Sequence, residues 1–134
     1  GSVWAWGPSS NGELGDGCIP TQGFPHWGSD CDRLSPVRIE GYGADTAMRL
    51  PPGGTQARRM FVVAADGTAM GSGDNYYGQL GNGDTLSVIT AGAIHGLGGG
   101  IVGIARGLEH TLVLSDKSRL ATCGDADGKG APSG

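Results

Sequence analysis

Residues 71–84 read Gly-Ser-Gly-Asp-Asn-Tyr-Tyr-Gly-Gln-Leu-Gly-Asn-Gly-Asp, and residues 6–17 repeat that pattern in a weaker form, Trp-Gly-Pro-Ser-Ser-Asn-Gly-Glu-Leu-Gly-Asp-Gly. Superposed without a gap, Gly7 falls on Gly73, Gly12 on Gly78, Leu14 on Leu80, Gly15 on Gly81 and Gly17 on Gly83. Self-similarity of this length marks a repeat architecture, in which a unit buries its apolar face against its neighbours. A second alignment supports it. Residues 58–73 superpose on 109–124, with Phe61 on Leu112, Val63 on Leu114 and Gly73 on Gly124. Gly7 and Gly73 lie 66 residues apart, and Gly73 and Gly124 lie 51 apart. The surplus falls in two irregular stretches, 18–32 and 41–59, which read as insertions into a common unit.

Each unit offers about four short strands, the content of one blade of a β-propeller. Val3 alternates with Ala5 and Trp4 with Trp6 in the first strand, and residues 34–39 form another, which Pro36 biases towards an edge or a start. The apolar run 60–65 is closed by Asp66-Gly67 and returns through 68–72; Asp-Gly favours a hairpin because both residues tolerate positive φ. Residues 87–90, 101–104, 109–114 and 119–124 supply further strands. In the 71–84 motif, Gly81 and Gly83 stand where the backbone needs positive φ or a close approach. Leu80 and Leu14 are the apolar plugs beneath such turns. The motif reads as a blade-to-blade turn with Tyr76 and Tyr77 at its crest.

Of 134 residues, 28 are Gly and 37% are hydrophobic, which excludes collagen and simple disorder. A net charge of −4 argues against binding to phosphate backbones, since Arg58-Arg59 is the lone adjacent basic pair. No apolar run approaches the ~20 residues of a membrane helix. No signal peptide is visible at the start. Cys18, Cys31 and Cys123 form an odd set without Cys-x-x-Cys spacing, a pattern that suits free thiols in a reducing, intracellular setting.

Together, His110-Thr111, the strand to Cys123-Gly124, and the lead of Trp6-Gly7 or Ser72-Gly73 into Asn75-Tyr76-Tyr77-Gly78-Gln79-Leu80-Gly81 resemble the regulator of chromosome condensation repeat. In that family a blade reads Val-x-x-Trp-Gly-x-Asn-x-x-Gly-Gln-Leu-Gly, then Pro-x-x-Val, then Val-Ala-x-Gly-x-x-His-Thr. The match is close from Gly67 to Gly124 and good from Val3 to Gly17, with Ser35-Pro36-Val37 in the place of the first Pro-x-x-Val. The first unit departs from it by carrying Arg59-Met60 in place of His-Thr, and the second lacks the proline. The resemblance implies a ring usually of seven blades, of which this chain holds about two and a half. It also implies that the His-Thr pair is structural and hydrogen-bonds within its blade.

Other motifs fail on context. Residues 98–103 satisfy Gly-x-Gly-x-x-Gly, but too few residues follow for a crossover helix, so no dinucleotide is expected. Residues 81–86 resemble a single nonapeptide of a calcium-binding β-roll, without the tandem copies such a roll requires. Asp125-x-Asp127-Gly128 opens like an EF-hand loop but has Lys129 at the fifth position. Cys18, His26 and Cys31 match no common zinc spacing. His110 with Glu109 and Asp116 lacks a nucleophile at a suggestive spacing. No catalytic, cofactor or metal-binding residue is therefore expected.

The sequence thus describes an all-β chain. It is a partial β-propeller of short antiparallel four-stranded blades with Gly-rich turns and two irregular insertions. It forms a single domain with units of about 1–67 and 68–118 and the start of a third at 119–134. The structural motif comprises Gly7, Gly12, Leu14, Gly15, Gly73, Gly78, Leu80, Gly81, His110, Thr111 and Gly124. Phe24, Trp27, Tyr42, Tyr76 and Tyr77 are the candidate contacts for a partner protein. The expected role is a non-catalytic protein-interaction scaffold, a fragment of a propeller within a larger protein or assembly, whose partners are other proteins or the remaining blades of the parent chain. The resemblance implies one alternative, nucleotide exchange on a small GTPase of the Ran type.

Overall fold

The structure, a computed structural model, describes residues 1–21, 30–40, 48–52, 58–94, 99–117 and 119–124. It is all-β, with three antiparallel sheets following one another along the chain. The first sheet pairs β1 (Trp4–Gly7) with β2 (Arg33–Arg38). The second orders β3 (Met48–Arg49), β4 (Arg59–Ala64), β5 (Ala69–Gly73) and β6 (Val88–Ala93). The third contains β7 (Ile101–Arg106), β8 (His110–Ser115) and β9 (Leu120–Gly124). This is a partial propeller with one complete four-stranded blade. Sheet boundaries fall one hairpin out of phase with the sequence periods, because each sheet opens with the strand that precedes the hairpin.

The alignment made on sequence is reproduced in the pairing. Arg59 stands opposite Gly73 and Val63 opposite Ala69; one unit later His110 stands opposite Gly124 and Leu114 opposite Leu120. The φ angles repeat as well, at 116°, 107° and 97° for Gly7, Gly73 and Gly124, and at 70° and 72° for Gly15 and Gly81. At Gly73 and Gly124 an added Cβ would collide with the carbonyl oxygens of Arg58 and Glu109, so glycine answers a steric need as well as a torsional one.

Alternation along the strands sends side chains to two neighbours. Phe61, Val63 and Ala69 of the second sheet meet Ile101, Ile104 and Val113 of the third in one apolar core, with Leu80 and Ile94 filling its edge. Val62, with Met60 and Met70 beside it, turns the other way and meets Val3, Ala5, Leu14 and Ile39 of the first unit. Burying a side chain of this size contributes about 1.5–3 kcal/mol, so each sheet depends on the one beside it.

Three features depart from the sequence reading. The stretch 41–59, read as irregular, contains the two-residue strand β3, too short for any periodicity to reveal. Its Arg49 guanidinium donates to the carbonyl oxygens of Ile101 and Val102 at 3.0 and 3.2 Å. The motif at 71–84 is not a turn from blade to blade: it joins β5 to β6 within one sheet. The cysteines are not all free thiols. Cys18 and Cys31 form a disulfide across the neck of the first insertion, with Cα atoms 5.6 Å apart, and Cys123 is the free cysteine. The described ends of the insertion are tied to each other and to the first sheet's loop. Arg33 is ion-paired with Asp16 at 2.6 Å, the Ser9 amide donates to Asp32 Oδ1, and the Thr21 amide donates to Asp30 Oδ1. The disulfide removes the basis for reading a reducing compartment from the cysteines.

Candidate protein-interaction surface

The 74–87 loop is built around Asn75, which has no exposed surface. Its side-chain amide donates to Asn82 Oδ1 and to the carbonyl oxygens of Asp84 and Leu86, while its Oδ1 accepts from the Leu80 amide. One side chain thereby closes the whole loop, and Leu80 is driven into the core below. Gln79 accepts from the Tyr77 amide through Oε1. Above this base Tyr76 and Tyr77 pack edge to face with ring centroids 5.0 Å apart, and Tyr76 is 72% exposed. Those two candidate contacts form one projecting aromatic pair. Phe24, Trp27 and Tyr42 lie outside the described residues.

Although it begins and ends in the second sheet, the loop reaches across to the third. The Gln79 carbonyl oxygen accepts from Thr111 Oγ1 at 2.7 Å and from Cys123 Sγ at 3.4 Å. The first unit makes the equivalent junction, where Ser72 Oγ donates to the Glu13 carbonyl oxygen at 3.1 Å. Thr111 is thus structural, but its bond crosses between blades; the expectation of a bond within its own blade is corrected. Thr111 lies on the middle strand of its sheet, and its hydroxyl reaches the loop that the preceding sheet sends across to it. The His110 ring packs over Gly107, where an added Cβ would meet the ring and displace it.

Arg59, which stands where the next unit carries His110, was not singled out as a site residue by sequence reasoning. It is 2% exposed and donates to the carbonyl oxygens of Gly107, Leu108 and His110 at 2.7–2.9 Å, and to Thr111 Oγ1 at 3.3 Å. Burial, then the neighbouring Arg106 charge, lowers its pKa from the ordinary guanidinium value. Arg106 in turn donates to the Arg59 carbonyl oxygen at 2.8 Å. The departure between the two units was the available signal: an arginine where the next unit has histidine, beside a buried strand.

Two apolar surfaces went unremarked in the sequence. Beside β3, an open cavity of about 510 Å³ is lined by residues that include Arg49, Leu50, Pro51, Val102, Leu112 and Leu114. At the other end of the molecule, Trp4 and Trp6 project from β1 with 54% and 62% of their surface exposed. Among the described residues no three His, Cys, Asp or Glu side chains converge as a metal site, and no helix is long and apolar enough to cross a membrane. The sulfurs of Cys18 and Cys31 are bonded to each other, which takes them out of the zinc reading. Residues 99–103 run straight into β7 without the helix a dinucleotide site requires.

No family model matches the chain. It is 30% identical over 126 residues to the protein RCC2 homolog of Danio rerio, a match that covers 92% of this chain and 22% of that protein. It is 31% identical over 129 residues to the human probable E3 ubiquitin-protein ligase HERC6, covering 92% of this chain and 11% of the relative. Among solved structures it superposes on human WBSCR16 with a TM-score of 0.69 at 24% identity, over 92% of this chain and 28% of the other, a likeness that bears on fold alone. The chain therefore spans 11–28% of the length of these proteins.

Proposed function

We propose that this chain, which is built from repeats of the regulator of chromosome condensation type and forms part of a β-propeller, serves as a non-catalytic scaffold for contacts with other proteins. The observation that carries this reading is where its polar side chains are committed. Thr111 and Arg59 direct their donors at backbone oxygens of a neighbouring sheet. A nucleophile or general base needs a polar atom aimed at a place where substrate can sit. What the chain turns outward instead is aromatic and aliphatic, with Tyr76 at the loop crest and Trp4 and Trp6 on β1. Tyrosine and tryptophan are the side chains that concentrate energy at protein interfaces.

Nucleotide exchange on a Ran-type GTPase would draw on a propeller face assembled from several blades, more than the described sheets provide. The deciding measurement is release of a fluorescent guanosine diphosphate from such a GTPase, with the chain added at micromolar concentration. Release at the intrinsic rate is the expected result. Acceleration that depends on Tyr76 and Tyr77 replaces the scaffold reading with exchange.

A further inference from the structure

We infer that Asn82 is a site of spontaneous modification, where the side-chain amide is lost through a cyclic imide with Gly83 and the loop between β5 and β6 is permanently altered. The inference needs the fold alone and stands apart from the scaffold reading. The chain holds two Asn-Gly pairs, Asn11-Gly12 and Asn82-Gly83. In such a pair the glycine nitrogen can attack the preceding side chain at Cγ, because glycine has no side chain to hinder the approach. At Gly83 the N–Cγ bond forms, the amide proton passes to hydroxide, and the Cγ–Nδ2 bond breaks to release ammonia. Water then opens the imide. Addition at Cγ leaves an aspartate. Addition at the main-chain carbonyl carbon of residue 82 leaves an isoaspartyl link, in which the backbone runs through Cβ and Cγ.

The structure sets the two pairs apart. Asn82 Oδ1 accepts from Asn75 Nδ2 at 2.9 Å and from the Asp84 amide at 3.4 Å. Negative charge develops on that oxygen as the nitrogen adds, and donors already in place stabilise it there. The Asp84 bond also closes a ring around the Gly83 nitrogen, which holds Cγ beside it. Gly83 is exposed, with φ 90° and open space where a side chain would stand, so water reaches the pair. Asn11 is held the opposite way. Its side-chain nitrogen, the leaving group, donates to Glu13 Oε1 at 3.3 Å and to Ser10 Oγ at 3.4 Å. The Gly12 amide donates to the Ser9 carbonyl oxygen, and Gly12 is buried against Ile89.

Conversion at Asn82 reaches the junction between sheets. Asn75 Nδ2 closes the loop by gathering Asn82, Asp84 and Leu86 around one amide. An isoaspartyl link adds a backbone atom between the first of these and the other two, so the three acceptors no longer converge. The Gln79 carbonyl oxygen, which ties this loop to Thr111 and Cys123, then loses its support. The change is a one-way loosening of the contact between the second and third sheets.

The test ages the full chain in mildly alkaline buffer and follows amide loss and isoaspartate at each asparagine by peptide mapping with mass spectrometry. Conversion at Asn82 is expected to run about tenfold or more ahead of conversion at Asn11. The same chain aged in guanidinium chloride supplies the control, because an unfolded chain treats its two Asn-Gly pairs alike, and there the rates should approach parity. Hydrogen exchange reads the consequence. In the aged protein the amides of Leu80 and Thr111 should exchange faster, while those of β1 and β2 stay as they were. Asn82→Asp keeps the acceptor for Asn75 and removes the amide that is lost, so it should gain little isoaspartate and hold the exchange of fresh protein. Absence of conversion at Asn82, equal rates at Asn82 and Asn11 in the folded chain, a rate ratio unchanged by the denaturant, or an aged wild type whose exchange matches that of the variant overturns the inference.

Discussion

Hairpin β4–β5 and hairpin β8–β9 pair in the same register, each closing on a positive-φ glycine opposite the first residue of its leading strand. Their surroundings are nonetheless different. The first is enclosed on both sides, with Val62 buried towards the first sheet and Phe61 and Val63 towards the third. In the second, Val113 is buried while Leu112 and Leu114 are left partly exposed. The same strand pattern is therefore core in one place and surface in another. In a stack of sheets, burial belongs to the junction and not to the unit.

The largest effect expected from this difference is between Phe61→Ala and Leu112→Ala. Removing the Phe61 ring should cost about 3–5 kcal/mol in urea denaturation, because its cavity has walls from two sheets. The same truncation at Leu112, which is partly exposed, should cost about 0.5 kcal/mol. Equal costs at the two positions would erase the distinction between an enclosed and an open face.

A smaller effect is expected where the two hairpins differ chemically, at Arg59 and its equivalent His110. Arg59→Met keeps the length of the side chain but takes the guanidinium donors away from the carbonyl oxygens of Gly107 and Leu108, and leaves that of His110 with the Gly107 amide alone. It should cost about 2–3 kcal/mol. Hydrogen exchange of the β7–β8 turn amides should rise while the amides of β1 and β2 stay as they were. Unchanged exchange at the turn would mean that the guanidinium does not hold the junction.

The smallest concerns Ser72 and Cys123, which occupy equivalent positions and donate to equivalent loop carbonyls, of Glu13 and Gln79. Burial holds the Cys123 thiol above the ordinary thiol pKa. A group whose pKa is raised on folding stabilises most fully below its unfolded value, about 8.5, and that contribution is lost as pH rises through the folded value. Stability should accordingly decline in mildly alkaline solution, and Cys123→Ser should flatten the decline. A variant that declines as steeply as the wild type would place the titrating group elsewhere.

Much of the fold was legible from residue spacing. The glycines at 7, 73 and 124, the Asp66-Gly67 hairpin and the buried leucines at 14 and 80 all report local constraints, a torsion or a plug, that a residue type states by itself. The disulfide was not legible, because three cysteines without a motif do not say which pair a loop returns to itself. Strand β3 was hidden by its length. Arg59 looked like a lapse in the repeat pattern, since its acceptors lie 48–51 residues away along the chain. For the candidate surface, the crest at Tyr76 and Tyr77 could be read from the loop motif, but the exposed tryptophans and leucines could not.

By itself the sequence determined the unit: its strands, its turn glycines, its register and its kinship with other repeats, all of which arise within about one blade of chain. Only the tertiary structure decided that the Gly-Gln-Leu-Gly loop serves the next sheet, that Thr111 bonds across a junction, and which apolar positions are covered. Those outcomes depend on whether a neighbouring sheet is present to exclude water from a given face. Two identical stretches of sequence have no means of recording that difference.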